Sequence, residues 1–315
     1  MSEIIIGSRG SALALAQTNW VAEQIRRHDP SVTTRVEIIK TSGDRILDAP
    51  LAGIGGKGLF VKEIETALLE SRVDIAVHSM KDLPTDVPDG LCIAAVPERE
   101  EQCDVLLSPH ANLDGLPRGA RVGTGSLRRR AQIKRCRPDL EVLDLRGNLD
   151  TRLRKLDSGD YDAVILACAG LRRLGLDDRV TQKLSFDICV PAAGQGALAI
   201  EARVGDEGIL DLLRPLDHAE TRAAVTAERA VLAALQGGCQ IPVGAAAWVD
   251  SVVLKLVALV ADLDGETVIR RESEGPMDEP EELGRKLALD LLDGGADAIL
   301  EGARLASNVG QVGAA

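Results

Sequence analysis

Short apolar runs rich in β-branched residues alternate with segments of helical periodicity along most of the chain. Eight such runs predict strands: Ile4–Ile6, Val36–Ile39, Val73–Val77, Cys92–Val96, Arg121–Val122, Glu141–Leu145, Ala163–Leu166 and Ala197–Ile200. Four intervening segments predict helices: Ser11–Arg27, Leu59–Ser71, Leu127–Cys136 and Leu149–Leu156. This alternation predicts α/β domains with parallel or mixed sheets.

One pattern occurs twice. Ile5–Ser11 and Arg121–Ser126 each read as a strand end, a turn of small residues and a helix start. The repeat predicts two similar α/β domains around a cleft, with a ligand held at helix N-termini. Coincidence is the alternative, because Gly and Ser are common turn residues.

The pattern of predicted helices and strands changes after Asp217. A helical segment, Thr221–Leu235, ends at a glycine pair, and three strand-like runs and a second helical segment, Glu281–Leu292, follow. The runs are Val243–Val249, Val252–Val260 and Thr267–Glu272. This part of the chain predicts a small C-terminal α+β domain.

The composition argues against several classes of binding partner. The 315 residues carry a net charge of -12 and only 2% aromatics, which disfavours binding to nucleic acid or to an anionic membrane. The first residues do not resemble a signal peptide, no apolar run is long enough to span a membrane, and the six cysteines show no zinc spacing. We therefore expect a cytoplasmic protein with reduced thiols and no metal.

Two turns at predicted helix starts combine hydroxyl and guanidinium groups, which suits an anion. They contain Ser8, Arg9 and Ser11 in one case and Thr124, Ser126, Arg128 and Arg129 in the other. Arg146 and Arg152 form a second basic stretch, and arginine suits bidentate binding of carboxylates. Helix capping with a solvated basic face is the simpler alternative for either turn alone.

Three further features are candidates for chemistry. Lys81 and Asp82 follow a predicted strand, where a carboxylate could stabilise a cation and move protons, although Asp82 could also be a loop cap. The loop around Lys57 is rich in glycine but lacks the spacing of a nucleotide site. Cys239 follows two glycines that leave room for a bulky group, although a lone cysteine is more often a buried apolar residue.

The chain resembles the porphobilinogen deaminase (hydroxymethylbilane synthase) family of tetrapyrrole biosynthesis. The motifs that carry the resemblance appear in fixed order over nearly the whole chain: Ile6–Arg9, Thr41–Asp44, Gly55–Phe60, Ala76–Asp82, Gly123–Arg129, Leu145–Asn148, Ala169–Gly175, Pro191–Gly196 and Gly237–Gln240. The resemblance weakens after about residue 250.

The resemblance implies a transferase that condenses four porphobilinogens head to tail with loss of ammonia and then hydrolyses off the linear product. It implies a dipyrromethane cofactor, built from substrate and joined by a thioether to Cys239, and a catalytic role for Asp82. Because porphobilinogen carries acetate and propionate groups, an acidic chain with a basic cleft fits such a substrate.

By the same resemblance, further residues bind the cofactor or the substrate. The cofactor set comprises Cys239, Lys81, Arg128, Arg129, Ser126, Thr124, Arg146 and Asp44. The substrate set comprises Arg9, Ser11, Gln17, Lys57, Phe60, Arg152 and Arg173. At one position the chain departs from the family pattern, because Gly125 replaces a hydroxyl residue.

The resemblance also implies two periplasmic-binding-protein-like α/β domains around a cleft plus the small C-terminal domain. The first comprises residues 1–98 and 197–216, the second 99–196, and the third, with the cofactor cysteine, 217–315. We expect a monomer. A non-catalytic carboxylate-binding protein of the periplasmic type is one rival, but it gives Cys239 and Lys81-Asp82 no use. A nucleic-acid binder that uses the arginines is the other.

Overall fold

The computed structural model describes residues 3–45, 58, 60–110, 112–236 and 242–303. The strands are β1 Glu3–Ser8, β2 Thr33–Ile38, β3 Ile75–Ser79, β4 Leu91–Ala95, β5 Asp104–Leu107, β6 Arg121–Gly123, β7 Glu141–Leu143, β8 Ala163–Ala167, β9 Gln182–Lys183, β10 Leu198–Arg203, β11 Val243–Asp250, β12 Val253–Ala261 and β13 Val268–Pro276. The α-helices are α1 Ala12–His28, α2 Ser42–Arg45, α3 Lys62–Leu69, α4 Leu127–Cys136, α5 Leu149–Asp157, α6 Cys168–Arg173, α7 Glu207–Leu213, α8 Ala219–Ala234 and α9 Pro280–Leu291.

The chain divides into two compact units. The first comprises Met1–Leu47, Gly56–Glu100 and Gly196–Arg222, and the second comprises Asp48–Gly55, Glu101–Gln195 and Ala223–Ala315. The division into three domains with the boundaries given above stays a prediction.

The first unit is built on a five-stranded sheet in the order β2-β1-β3-β10-β4. β1 pairs in parallel with β2 and β3, whereas β10 runs antiparallel to both β3 and β4. Buried aliphatic residues cover both faces, which is why the central strands are almost continuously apolar. Ile25 of α1 belongs to the core on one face, and Ile64 and Leu68 of α3 belong to the core on the other.

The second unit contains a five-stranded sheet in the order β7-β6-β8-β5-β9 and a three-stranded antiparallel sheet, β11-β12-β13. The larger sheet repeats the plan of the first unit. Its strands β6, β7 and β8 are parallel with β6 in the middle, as β1, β2 and β3 are with β1 in the middle. Beside β8 in the sheet lies the antiparallel strand β5, as β10 lies beside β3, and β9 pairs with β5. The predicted fold class, two similar α/β domains plus a small α+β domain, is therefore confirmed.

The small sheet has two buried faces. One face packs on α8 and α9, with Val231, Leu256 and Leu287 in a common core. The other packs on α4 and the segment before β10, where Val257 contacts a cluster that includes Ala131 and Val190. Within the described part of the chain, no helix is long and apolar enough to cross a membrane.

Candidate active site

The lysine–aspartate pair lies at the carboxyl end of β3, in the first unit. The buried strand passes directly into a 3-10 turn, Met80–Asp82. The Met80 N–H donates a hydrogen bond of 3.0 Å to the Ala197 carbonyl and so ties the turn to the chain that enters β10. Lys81 is half-buried and Asp82 is exposed. The Asp82 carboxylate is thus open to solvent at the sheet edge where open α/β sheets bind ligands.

The two predicted polar residues at α1, Ser11 and Gln17, form hydrogen bonds to nearby groups of the protein. The Ser11 hydroxyl caps the helix by accepting a hydrogen bond of 3.3 Å from the Ala14 N–H. Gln17 is buried, and its Nε2 donates to the Ser79 Oγ at 2.9 Å. Because Ser79 directly precedes the Met80–Asp82 turn, Gln17 fixes the end of β3 that presents Asp82.

Arg9 and Phe60 are brought together by the fold. The Arg9 guanidinium carbon lies 4.2 Å from the centroid of the Phe60 ring, within the range of a cation–π contact. The ring also lies against the backbone at Gly43, where an added Cβ would overlap it. Arg9 is therefore held over an aromatic face, and a side chain at position 43 would displace that ring.

A buried acid–base cluster lies beside β3. The His78 Nε2 is 3.2 Å from the Glu201 Oε2, and both side chains are almost completely inaccessible to solvent. The Glu201 Oε1 has no hydrogen-bond partner in the described part of the chain. Glu65 on α3 is also buried, and burial, followed by the negative charge of Glu201, raises the pKa of Glu65 above its usual value. This cluster was not predicted.

The start of α4 carries the predicted hydroxyl residues of the second unit. Thr124 is buried, and its Oγ1 accepts a hydrogen bond of 3.2 Å from the Ser126 N–H. Ser126 is the N-cap of α4. Between them, a Cβ at Gly125 would lie 2.7 Å from the Leu145 carbonyl oxygen. The departure from the family pattern therefore has a steric reason, since any side chain at 125 would contact this backbone.

Arg128 and Arg129 are buried together with a partner that was not predicted. The Asp104 carboxylate accepts a hydrogen bond of 2.7 Å from the Arg128 Nη1 at Oδ2 and bonds of 2.9 and 2.7 Å from the Arg129 Nε and Nη2 at Oδ1. Burial alone would raise the pKa of Asp104, but the two guanidinium groups outweigh it and hold this pKa well below its usual range. Asp104 thus stays ionised inside the unit as the shared partner of both predicted arginines.

The remaining predicted arginines lie around α5 and α6. The Arg146 Nε and Nη2 donate to one oxygen of Asp144 at 2.8 and 2.7 Å, and the Arg152 Nε donates to the Gly147 carbonyl at 2.8 Å. Arg173 is half-buried in the last turn of α6. Arg146 and Arg152 are thus anchored on the turn that leads into α5.

Three predicted site residues cannot be placed. Cys239 and Lys57 lie outside the described residues, as does the side chain of Asp44. Among the described residues, no group of three or more His, Cys, Asp or Glu side chains could hold a metal ion, and the five described cysteines are free.

The second unit, in which two arginines share one buried carboxylate, is an α/β unit with an excess positive charge that suits an anionic ligand. The comparisons with known proteins identify the class more closely. The family model "Porphobilinogen deaminase, dipyromethane cofactor binding domain" matches residues 4–211, and "Porphobilinogen deaminase, C-terminal domain" matches residues 222–293. The chain therefore belongs to the porphobilinogen deaminase family.

Curated relatives agree with this assignment. Porphobilinogen deaminase of Carboxydothermus hydrogenoformans is 53% identical over 97% of this chain and 99% of its own length. The enzyme of Desulforudis audaxviator is 54% identical over 95% of this chain and 97% of its own length. The predicted family, the transferase class and the dipyrromethane cofactor are confirmed, and a non-catalytic binding protein is not favoured.

Solved structures align over part of the chain. The substrate binding domain of a putative molybdenum ABC transporter from Clostridium difficile covers 68% of this chain, and 91% of that structure is aligned, with 12% identity and a TM-score of 0.41. The Bordetella pertussis BvgS periplasmic VFT2 domain covers 67%, with 84% of it aligned, 14% identity and a TM-score of 0.37.

Proposed function

We propose that this chain is a hydroxymethylbilane synthase. It condenses four porphobilinogen molecules head to tail, with release of ammonia, onto a dipyrromethane primer attached to Cys239, and then releases the linear tetrapyrrole by hydrolysis. The observation that carries the proposal is the similarity to porphobilinogen deaminases at 53% identity over 97% of the chain.

The donor set of the second unit fits a cofactor that bears carboxylates. Asp104, Arg128 and Arg129 together sum to one net positive charge. All hydrogen bonds that Arg128 makes to described residues leave from its Nη1, so its Nε and Nη2 are available to an anion. We assign cofactor binding to Arg128 and Arg129, and with them to Thr124, Ser126, Arg146, Lys81 and Asp44. When bound, the cofactor would supply a terminal pyrrole ring with a free nucleophilic carbon.

Substrate binding is assigned to residues that present cations and polar groups. Arg9 pairs with a substrate carboxylate, and Phe60 holds the Arg9 guanidinium for that contact. Lys57, Arg152 and Arg173 serve further carboxylates, and Ser11 and Gln17 supply polar contacts. Each charged hydrogen bond of this kind contributes about 1.5–3 kcal/mol.

Asp82 is assigned the catalytic role. Its exposed carboxylate can accept a hydrogen bond from the pyrrole N–H of the substrate and stabilise the positive charge that develops as ammonia leaves. The same carboxylate can accept the proton that leaves the pyrrole carbon at which the new carbon–carbon bond has formed, and loss of this proton restores aromaticity. Lys81, its neighbour in the turn, supplies a cation at the same strand end.

The test is turnover of Asp82→Asn with porphobilinogen, with intact mass and thermal unfolding measured on the same preparation. We expect turnover to fall by about 10²–10⁴-fold, as for loss of an acid–base group, with the attached mass and the melting temperature unchanged. Asp89→Asn is the matched control, because Asp89 is an exposed aspartate seven residues further along the same connection to β4. Turnover of Asp82→Asn at the control's rate would contradict the assignment.

Two further parts of the proposal concern the state of the molecule. We propose that it acts as a monomer in the cytoplasm, with the three domains bounded as given above. Sedimentation of the holoenzyme at one chain mass tests the monomer, and a dimer mass would contradict it.

A further inference from the structure

Asp104 is a buried charge in an unusual position. It is the first residue of β5, which lies inside the larger sheet of the second unit, and its side chain is completely inaccessible. Besides the two arginines, its carboxylate accepts a hydrogen bond of 2.9 Å from the Gln195 Nε2 and one of 3.2 Å from the Cys189 thiol. Four side chains therefore converge on one carboxylate.

The charge of this cluster is not balanced. Two guanidinium groups meet one carboxylate, and no other carboxylate among the described residues is hydrogen-bonded to either arginine. Burial, followed by the charge of Asp104, raises the pKa of the Cys189 thiol, so that Cys189 adds no negative charge at neutral pH. Because burying an unpaired charge is costly, a structural role alone would favour one arginine per aspartate. The excess charge indicates a site that accepts one further anion.

Arg128 and Arg129 differ in how many of their guanidinium nitrogens donate hydrogen bonds to protein groups. Arg129 donates from all three of its nitrogens, to Asp104, to the Ile165 carbonyl and to Gln195. Arg128 donates from Nη1, to Asp104 and to the Val190 carbonyl at 2.6 Å. Arg129 is thus locked on protein groups, and Arg128 keeps its Nε and Nη2 for a ligand.

The Val190 carbonyl links Arg128 to the strand that follows Cys239. A Cβ at Gly244, the second residue of β11, would lie only 2.9 Å from this oxygen. The Ala245 N–H also donates to the neighbouring Pro191 carbonyl at 3.0 Å. The position of Arg128 is therefore set from one side by Asp104 and from the other by a segment that is packed on β11.

We propose that Asp104 is a positioning residue that aims Arg128 at a carboxylate of the dipyrromethane cofactor. Arg129, to which cofactor binding is also assigned, holds Asp104 in place. The inference rests on the proposed function, because it takes the ligand at Arg128 to be the cofactor attached at Cys239.

The test uses the full-length protein as purified, in three versions: wild type, Asp104→Asn and Asp104→Glu. Asparagine keeps the shape and an acceptor oxygen but loses the charge, whereas glutamate keeps the charge and displaces it. The measurements are the fraction of molecules that carry the cofactor mass, the melting temperature, and kcat and KM for porphobilinogen well below that temperature. We expect Asp104→Asn to lose about tenfold or more in kcat or in cofactor occupancy, with KM within about twofold, and Asp104→Glu to lie between it and wild type.

Asp139→Asn is the control for a purely structural ion pair. Asp139 accepts two hydrogen bonds of 2.8 Å from Arg137, just beyond the other end of α4, so its loss should lower the melting temperature without changing occupancy or kcat. Wild-type occupancy and kcat in whichever Asp104 variant folds would overturn the inference, even if that variant melts earlier. A wild-type protein without added mass on Cys239 would instead overturn the proposed function.

Discussion

Serine at position 125 would restore the hydroxyl that the family pattern has there, yet we expect Gly125→Ser to damage this protein. A Cβ at 125 would lie 2.7 Å from the Leu145 carbonyl oxygen. A Cβ atom and a carbonyl oxygen do not approach each other this closely, and the obstacle is backbone, which cannot rotate away. The turn that carries Arg146 therefore has to move.

The cost follows from that displacement. Adding atoms to a tightly packed position costs about 1–3 kcal/mol. In a unit of this size each kcal/mol lowers the melting temperature by about 2–4 °C, so we expect a decrease of about 2–12 °C. Because Leu145 directly precedes Arg146, to which cofactor binding is assigned, we also expect a lower kcat.

Thermal unfolding and steady-state kinetics of the holoenzyme test this expectation. Gly208→Ser is the matched control, because Gly208 lies in the first turn of α7 and an added Cβ there would meet no atom within 4 Å. It should melt close to wild type apart from the small change expected for an exposed helix position. A Gly125→Ser protein that melts like the control, or that turns over faster than wild type, would refute the steric reasoning.

Two other predictions concern the first unit. The pKa of Glu65 is raised by burial and by Glu201, so its stabilising contribution is complete below the unfolded-state pKa and is lost as the pH rises through the folded-state pKa. Glu65→Gln should therefore exceed wild type in melting temperature by a margin that widens from about pH 5 to about pH 8, and a margin independent of pH would argue against a raised pKa. Phe60→Leu removes the aromatic face that holds Arg9. Since such a contact contributes about 0.5–2 kcal/mol, KM for porphobilinogen should rise by about 2- to 30-fold with the attached mass unchanged. An unaltered KM would show that Arg9 does not depend on the ring.

Local features of the fold were predictable from the sequence. The helical period over Leu127–Cys136 matches α4, and Ser126 caps that helix as a serine before a helix is expected to. The three strand-like runs that begin at Val243 correspond to β11, β12 and β13. Each of these features depends on residues that are close together in the chain, and this is the information that periodicity and capping patterns carry.

β5 and its aspartate were missed for a physical reason. β5 is only four residues long, and the three apolar residues after Asp104 are too short a run to identify a strand by periodicity. Arg128, the partner of Asp104, is 24 residues away, and only the packed sheet brings the two together. The same holds for His78 and Glu201, which are 123 residues apart in the chain and adjacent in the fold. Two arginines next to each other in one helix were the available signal that a buried carboxylate should be sought.

Intact mass spectrometry of the denatured, purified protein tests the central claim most directly. We expect a mass that exceeds the chain mass by two condensed pyrrole units, with the addition mapped to the peptide that contains Cys239. Incubation with porphobilinogen should add further single pyrrole units to the same peptide. An active protein whose Cys239 carries no addition would contradict the account.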